Sequence, residues 1–145
     1  MEMSDNCLFC KITRREIPAQ VVFEDDRCLA FLDIGPLFPG HVLLAPKHHV
    51  ETLPELPAEL VGPLFQNAQL VTRAVERAME AEGSFIAINN RVSQSVPHLH
   101  VHIVPRRKKD GLKGFFWPRN KYKDEDELAA AQKLIQAAIA TLQNS

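Results

Sequence analysis

The stretch that decides the fold reads His-Leu-His-Val-His-Ile-Val over residues 98–104. Successive side chains of a β-strand point to opposite faces of a sheet. The alternation therefore predicts a strand with three imidazoles on one face and Leu99, Val101 and Ile103 on the other. The apolar face suits a hydrophobic core. No packing argument requires three imidazoles in a row, so we expect the other face to carry chemistry.

A single catalytic metal ion held by all three histidines is not expected. Neighbours on one face of a strand are ~6.6 Å apart, which separates the outer two backbones by ~13 Å. Zinc draws each imidazole nitrogen to about 2.0–2.1 Å in a tetrahedron, a geometry that two alternate histidines can supply and three hardly can. A polar strand face exposed to solvent is the alternative interpretation, and the strict alternation weighs against it.

Hydrophobic periodicity predicts the elements around this strand, which itself covers residues 99–105. Further β-prone runs cover residues 20–24, 28–33, 41–46 and 85–89. The first of them are separated by short turns, and strands joined in this way pair antiparallel.

Two segments have the three-to-four spacing of amphipathic helices, residues 57–82 and residues 124–142. In the first segment, Pro57 suits the start of a helix and Gly83 suits its C-cap. Pro63 interrupts helical hydrogen bonding, so we expect the regular part of the helix to begin after it. In the second, Asp124 and Glu127 have the spacing of a capping box. Residues 10–15 add a short helical turn. The predicted fold class is α+β, one antiparallel sheet of about five strands with two main helices packed on one side.

Size and composition narrow the range of functions. The chain has 145 residues and a net charge of −1, which predicts one domain over residues 1–145 and argues against a dedicated nucleic-acid binder. We find no apolar run of membrane-spanning length, and the polar start is unlike a signal peptide. Three cysteines do not make a disulfide framework. We therefore expect a cytoplasmic protein with reduced thiols and with neither a nucleic-acid nor a membrane partner.

The segment that follows the histidine strand is strongly basic. Residues 106–123 contain eight lysines and arginines and one acidic residue. This run is interpreted either as a solvated loop or as a surface that attracts polyanions. The aromatic residues 115–117 within it are interpreted as a lid or dimer contact, with a plug on the core as the alternative.

Taken with other stretches of the chain, the histidine strand resembles the histidine triad (HIT) family, whose signature is His-φ-His-φ-His-φ-φ with φ apolar. Residues 7–18, 23–34, 39–49 and 94–96 match this family in order and spacing. The resemblance covers most of the chain and implies a HIT-like fold. It also implies a nucleotide-binding homodimer, with the helix over residues 57–82 as the contact.

The resemblance implies a covalent mechanism. His100 is the position of the nucleophile, which attacks the α-phosphorus of a nucleoside phosphoramidate or dinucleoside polyphosphate and becomes nucleotidylated. A hydrogen bond to the backbone oxygen of His98 would fix its tautomer. His102 would donate to a phosphate oxygen. His41 matches a relay position behind the triad, with a surface histidine at a strand start as the alternative. The competing function is a non-catalytic nucleotide-binding regulatory or scaffold homodimer.

The nucleotide site is also implied by the resemblance. Asp33 matches the carboxylate that takes the ribose hydroxyls. The base would be framed by the apolar side chains of Ile17, Phe31 and Ile34. The sugar and phosphates would be contacted by the polar side chains of Asn89, Gln94 and Ser95. The apolar three could instead be ordinary core, and Asn89 a turn residue. The loop over residues 90–96 lacks the glycines usual in this family, and its Arg91 indicates a more anionic substrate.

A structural zinc site is a further implication of the resemblance. Its four ligands would be Cys7, Cys10, His49 and His98, a closed tetrahedral set. The cysteine pair alone is a weak signal, and the four residues could remain free of metal. His48 points to the other face of an extended segment, and Cys28 is interpreted as core.

Overall fold

The computed structural model describes residues 2–112 and 119–145 and divides the chain into two compact units, Met1–Asp110 and Gly111–Ser145. Within the described part of the first unit, five strands form one antiparallel sheet in the order β1-β2-β3-β5-β4. The strands are β1 (Val21–Glu24), β2 (Cys28–Leu32), β3 (Val42–Pro46), β4 (Gly83–Ala87) and β5 (Val101–Arg106). The α+β class and the antiparallel sheet are confirmed.

The main helix of the first unit is α2 (Ala58–Ala78), and a shorter helix α1 (Leu8–Thr13) precedes the sheet. The prediction that the regular helix begins after Pro63 is wrong, because α2 continues through it. The carbonyl that loses its partner belongs to Glu59, which is exposed, so water can replace the missing N–H. The prediction that Gly83 is the C-cap of this helix is also wrong. The C-cap is Met79, and the next residue, Glu80, takes the left-handed conformation with φ of 51°.

The α-helices α1 and α2 cover opposite faces of the sheet. On one face, Cys28 and Ala30 pack with the buried side of α2. On the other face, Leu29 and Phe31 pack with α1. The position of α1 differs from the prediction of helices on one side only. It explains why strand β3 is buried along its whole length, as the apolar run over residues 42–45 requires.

The histidine strand has the predicted orientation. Leu99, Val101 and Ile103 belong to the core on the α2 side of the sheet. The three imidazoles therefore lie on the α1 side. Strand β5 has a partner on both sides, since His102 pairs with Leu43 of β3 and with Ala87 of β4. A strand held by two ladders is a firm support for side chains that must keep a fixed geometry.

The second unit contains α3 (Glu125–Gln143), close to its predicted bounds. Asp124 caps it by accepting from the Glu127 N–H at 2.8 Å. The Glu127 carboxylate accepts from the Lys123 N–H at 2.8 Å, one residue before the position that a capping box predicts. The interpretation of the aromatic residues 115–117 falls on residues 113–118, outside the described part of the chain. No helix within the described residues is both long and apolar enough to span a bilayer.

Candidate active site

The middle histidine of the strand is held in one tautomer by a backbone carbonyl. His100 Nδ1 lies 2.7 Å from the His98 oxygen, and since a carbonyl only accepts, Nδ1 carries the hydrogen and donates it. The lone pair is then on Nε2. Burial lowers the pKa of His100, so the ring is neutral near pH 7. A neutral imidazole with a fixed tautomer is the form that acts as a nucleophile.

His100 opens onto a pocket of about 250 Å³. The structure brings seven of the predicted site residues to its wall: Ile17, Phe31, Asp33, Ile34, Ser95, His100 and His102. Ile34 is fully exposed, which is unusual for a large apolar side chain and leaves its surface available to a flat ligand.

Several lining residues were missed from the sequence. They come from α1 and the chain that follows it, from strands β2 and β3, and from the loop before the triad strand, namely Leu8, Phe9, Ile12, Pro18, Ala19, Leu32, Leu43 and Val96. For Leu43 a signal was present, because its register opposite His102 in an antiparallel pair places both side chains on one face. For α1 a signal lay in the implied zinc ligands, since Cys7 and Cys10 joined to His98 place Leu8 and Phe9 near the triad strand.

His102 lies in a chain of hydrogen bonds that begins at a backbone amide. The Leu37 N–H donates to His41 Nδ1 at 3.1 Å, which leaves the hydrogen of neutral His41 on Nε2. His41 Nε2 lies 3.0 Å from His102 Nδ1 and donates to it. The hydrogen of His102 is therefore on its own Nε2. His41 is 3% exposed, so the alternative of a surface histidine is wrong.

Burial lowers the pKa of both rings in this chain. The pKa of His102 falls to about 4, with the nearby His100 and His41 rings adding to the effect of burial. The pKa of His41 is also lowered by burial, although the Asp33 carboxylate opposes that shift. Asp33 Oδ2 lies 3.7 Å from His41 Nε2, and its Oδ1 accepts from the Gly35 N–H at 2.8 Å. Both imidazoles are thus neutral at pH 7 and have their hydrogens ordered by the backbone.

Three predicted contacts do not line the pocket: Asn89, Arg91 and Gln94. The Gln94 side chain accepts from the Arg91 N–H at 2.8 Å and donates to the Glu51 oxygen at 2.6 Å. The Arg91 guanidinium donates to Glu55 at 2.9 Å. Contact between Arg91 and a substrate would first break this exposed ion pair, which costs at most about 1 kcal/mol.

The loop over residues 90–96, which contains no glycine, has a strained backbone conformation. Arg91 and Ser93 adopt positive φ angles of 70° and 61°, in the left-handed region that glycine enters freely. The hydrogen bonds of the Gln94 side chain with the Arg91 N–H and the Glu51 oxygen help to hold this conformation.

A second cluster lies at the N-terminal end of the triad strand, beside α1, and contains the four predicted metal ligands, Cys7, Cys10, His49 and His98. The Nδ1 atoms of His49 and His98 are 3.2 Å apart. Cys7 Sγ lies 3.3 Å from His98 Nδ1, and Cys10 Sγ lies 3.5 Å from His49 Nδ1. Ligand atoms at the corners of a zinc tetrahedron with Zn–N of about 2.0–2.1 Å and Zn–S of about 2.3 Å are ~3.3–3.8 Å apart.

Hydrogen positions also suit a cation in this cluster. His98 Nε2 donates to the Pro46 oxygen at 2.7 Å, so its Nδ1 presents a lone pair to the cluster. A histidine that binds a metal ion through one ring nitrogen usually donates a hydrogen bond from the other, and this bond orients the ring and fixes its tautomer. The ring is also neutral, since burial lowers the pKa of His98 to about 4. The four residues therefore fit a closed tetrahedral metal site.

The group Asp33, His41 and His102 also has three potential ligand atoms close together, but its hydrogens do not suit a metal ion. The Leu37 N–H donates to His41 Nδ1, so the hydrogen occupies the His41 Nε2 that would have to bind the ion. A metal ion there would require the His41 hydrogen to move to Nδ1, where it would face another donor. The group of Asp33, His41 and His102 is therefore better suited to forming hydrogen bonds than to binding a metal ion.

The remaining cysteine and the neighbouring histidine lie outside both groups. Cys28 is buried in the α2-side core, as interpreted from the sequence. The His48 imidazole lies 4.0 Å from Glu2 and not in the cysteine cluster, which agrees with the expectation that only one of the two adjacent histidines faces the cluster.

A larger groove of about 410 Å³ lies between α2 and strands β1 to β3. The described side chains that line it are apolar and include no titratable group. We therefore assign the chemistry to the smaller pocket, where Asp33, His100 and His102 converge.

Comparison with known proteins shows the family to which the chain belongs. The HIT domain family matches residues 14–109, so the chain belongs to the HIT family. It is 39% identical over 130 residues to the protein hit of Bacillus subtilis, covering 87% of this chain and 90% of that protein. It is 38% identical over 112 residues to adenylylsulfatase HINT3 of Arabidopsis thaliana, covering 76% of this chain but only 57% of the plant protein.

A solved structure is similar over nearly the whole length. It is a zinc-bound histidine triad family protein from Mycobacterium smegmatis, with a TM-score of 0.70 and 35% sequence identity. The match covers 96% of this chain and 96% of that one.

Proposed function

We propose that this protein is a nucleotide hydrolase or nucleotidyltransferase that cleaves a nucleoside phosphoramidate or a dinucleoside polyphosphate at the α-phosphate. The intermediate would be a covalent nucleotidyl-His100. The observation that carries this proposal is the hydrogen bond of 2.7 Å from His100 Nδ1 to the His98 oxygen, which leaves a lone pair on Nε2 of a ring that lines a pocket. The adenylylsulfatase name of the plant relative adds support for nucleotide chemistry of this kind.

In the first half of the reaction, the Nε2 lone pair of His100 attacks the α-phosphorus. A phosphorus–nitrogen bond forms, and the bond from phosphorus to the leaving oxygen or nitrogen breaks. The electron pair of that bond goes to the leaving group. Such a displacement needs little beyond positioning and stabilisation of charge on the phosphoryl oxygens.

His102 is the proposed hydrogen-bond donor to the phosphoryl oxygens and the leaving atom. Its hydrogen is on Nε2, because Nδ1 already accepts from His41. Both rings are neutral, so His102 donates this hydrogen bond without giving up its proton, and an amine leaving group takes its proton from solvent. The hydrogen bond of 3.0 Å from His41 keeps the His102 hydrogen on Nε2, and the Asp33 carboxylate lies 3.7 Å from the same His41 nitrogen.

In the second half, a water molecule attacks the same phosphorus. The bond to His100 Nε2 breaks, its electron pair returns to the ring nitrogen, one proton of the water passes to solvent, and the nucleoside monophosphate leaves. A nucleophile other than water would make the protein a transferase by the same path. Ser95 lines the pocket beside the histidines and is the proposed contact for the phosphoryl oxygens, with Gln94 and Asn89 as further contacts if the loop moves.

The nucleoside would occupy the apolar half of the pocket. Ile17, Phe31 and Ile34 line that half and would frame the base. One Asp33 oxygen is held by the Gly35 N–H, and the carboxylate retains acceptor capacity for the ribose hydroxyls. Arg91 is the proposed contact for a polyphosphate leaving group, after release from Glu55.

A panel of substrates tests the proposal. Adenosine and guanosine phosphoramidates, adenylylsulfate and dinucleoside polyphosphates are incubated with wild-type protein and with His100→Asn, and release of the nucleoside monophosphate is measured. We expect the wild type to hydrolyse at least one compound and His100→Asn to lose at least about 10³-fold in kcat while still binding AMP or GMP. Nucleotide binding without turnover by the wild type would instead support the regulatory or scaffold function.

We also propose that Cys7, Cys10, His49 and His98 hold a structural zinc ion. The zinc ion would cross-link the N-terminal segment to the triad strand, and the set leaves no open position for substrate. The zinc-bound relative from Mycobacterium smegmatis supports this assignment. The site requires reduced thiols, which fits the cytoplasmic location expected from the sequence.

The homodimer is proposed from an exposed apolar surface. Val61 and Phe65 are one turn apart on α2 and both are partly exposed, as is Ile86 on the edge strand β4. An edge strand with a neighbouring apolar helix face favours association with a second copy. Sedimentation at several concentrations should show a dimer for the wild type and a shift towards monomer for Phe65→Asp. A wild type that stays monomeric at high concentration would exclude the dimer.

A further inference from the structure

Helix α1 connects the cysteine cluster to the nucleotide pocket. Cys7 is the N-cap residue of α1, and Cys10 lies within its first turn. The two residues between them, Leu8 and Phe9, line the pocket that contains His100. The short segment that carries two metal ligands is therefore also part of the wall of the active site.

Phe9 contacts the triad histidines directly. Its ring centroid lies 5.0 Å from that of His100, with the two planes at 82°. It lies 5.7 Å from the His98 ring, at 64°. Edge-to-face arrangements at these distances are the preferred geometry of aromatic rings. Phe9 is 4% exposed and is also backed by Phe31 at 5.2 Å, so its own position is fixed by packing.

A second connection runs through the backbone of the triad strand. His98 faces the cluster with Nδ1, and its carbonyl oxygen accepts the hydrogen bond from His100 Nδ1. The position of His98 thus determines where the acceptor for the nucleophile lies. Both the side-chain route through Phe9 and the backbone route through His98 end at His100.

We propose that Phe9 is a positioning residue for His100, and that filling of the cysteine–histidine cluster by zinc is thermodynamically coupled to nucleotide binding in the pocket. The inference depends on the proposed function for the choice of ligand. Zinc draws Cys7, Cys10 and His98 together, which seats α1 and presses Phe9 against the His100 ring. Because coupling between two ligands is reciprocal, a bound nucleotide raises zinc affinity by the same factor as zinc raises nucleotide affinity.

The experiment measures both affinities on the full chain. Zinc affinity is obtained by competition with a chromophoric chelator, with and without saturating AMP or GMP. The affinity for the same nucleotide is obtained by calorimetry on zinc-loaded and zinc-free protein, with circular dichroism to follow folding. We expect both measurements to give the same increase, of about fivefold or more.

Phe9→Leu is the informative variant, and Phe23→Leu is its matched control on the α2 side of the sheet. Phe9→Leu should retain the metal ligands, reduce the coupling factor by at least about half, and lower kcat more than it raises KM. Phe23→Leu should leave the coupling factor unchanged. Unfolding of the zinc-free protein would also couple the two ligands, but that coupling would not need the Phe9 ring. Undiminished coupling in Phe9→Leu therefore overturns the proposal.

The remaining outcomes separate this inference from the proposed function. Zinc and nucleotide that both bind, with a coupling factor of one, overturn the coupling and leave the proposed function intact. Failure of the wild type to bind either AMP or GMP overturns the proposed function and the inference with it.

Discussion

Replacing His102 by glutamine should weaken the dependence of folding stability on pH between about pH 7.5 and about pH 5.5. In the folded protein, burial lowers the pKa of His102 to about 4, with the His100 and His41 rings adding to the effect. In the unfolded chain the pKa of a histidine is about 6.5. Between these two values the unfolded chain binds a proton at this position and the folded protein does not.

The sign and size of the effect follow from this difference. A histidine whose pKa is lowered by folding leaves stability intact above the unfolded pKa, and stability decreases as the pH falls below it. Over the interval from about pH 7.5 to about pH 5.5, one such group removes ~1.4 kcal/mol from the free energy of unfolding. His41 has a pKa lowered by burial too, so the wild type should lose more than this amount in total.

Urea unfolding followed by circular dichroism at the two pH values measures the prediction, with both proteins loaded with zinc. His102→Gln should lose ~1.4 kcal/mol less than the wild type over the interval, whatever its absolute stability. The metal ligands are the same in both proteins, so they do not contribute to this difference. Equal losses would show that His102 is not held neutral in the folded state, and the hydrogen-bond chain through His41 and His102 would then be wrong.

Two further predictions concern the backbone near the site and the metal cluster. Gly40 has a φ of 95°, and a Cβ there would lie 2.6 Å from Met79 Cγ, so Gly40→Ala should destabilise by about 2–3 kcal/mol in urea unfolding. Gly62→Ala, with no atom within 4 Å of the new Cβ, should stabilise α2 by up to about 1 kcal/mol, and equal effects at the two glycines would contradict the backbone argument. Cys10→Ser should lower zinc affinity by more than about 100-fold and reduce stability, whereas Cys28→Ser should retain zinc. Unchanged zinc content in Cys10→Ser, measured by elemental analysis, would exclude the proposed ligands.

The strands and the direction of the triad side chains could be predicted from the sequence because they depend on period-two alternation, a local property. Each strand begins and ends within two residues of its predicted bounds. The errors in α2 concern its ends and Pro63, where solvent around the Glu59 carbonyl and a left-handed Glu80 decide the outcome. Neither of these is visible in a local pattern.

The residues of the site divide in the same way, into those that local sequence patterns predict and those that depend on long-range contacts. The three histidines, Asp33 and the hairpin residues could be assigned from motifs. The pocket wall from α1 could not, because the implied zinc ligands place the N-terminal segment near His98 but do not show which of its side chains line the pocket. The tautomer of His41 is a long-range property as well, since it is set by the N–H of Leu37 in the turn before β3.

The covalent intermediate is the most direct test of the account. The wild type is mixed for a short time with the substrate that it turns over fastest, the reaction is stopped in base without acid, and intact-mass spectrometry is followed by peptide mapping. The account predicts an added mass of one nucleoside monophosphate on the peptide that contains residues 98–104, located on His100 and absent from His100→Asn. Steady turnover by His100→Asn at the wild-type rate, or a nucleotide attached to another residue, would contradict it.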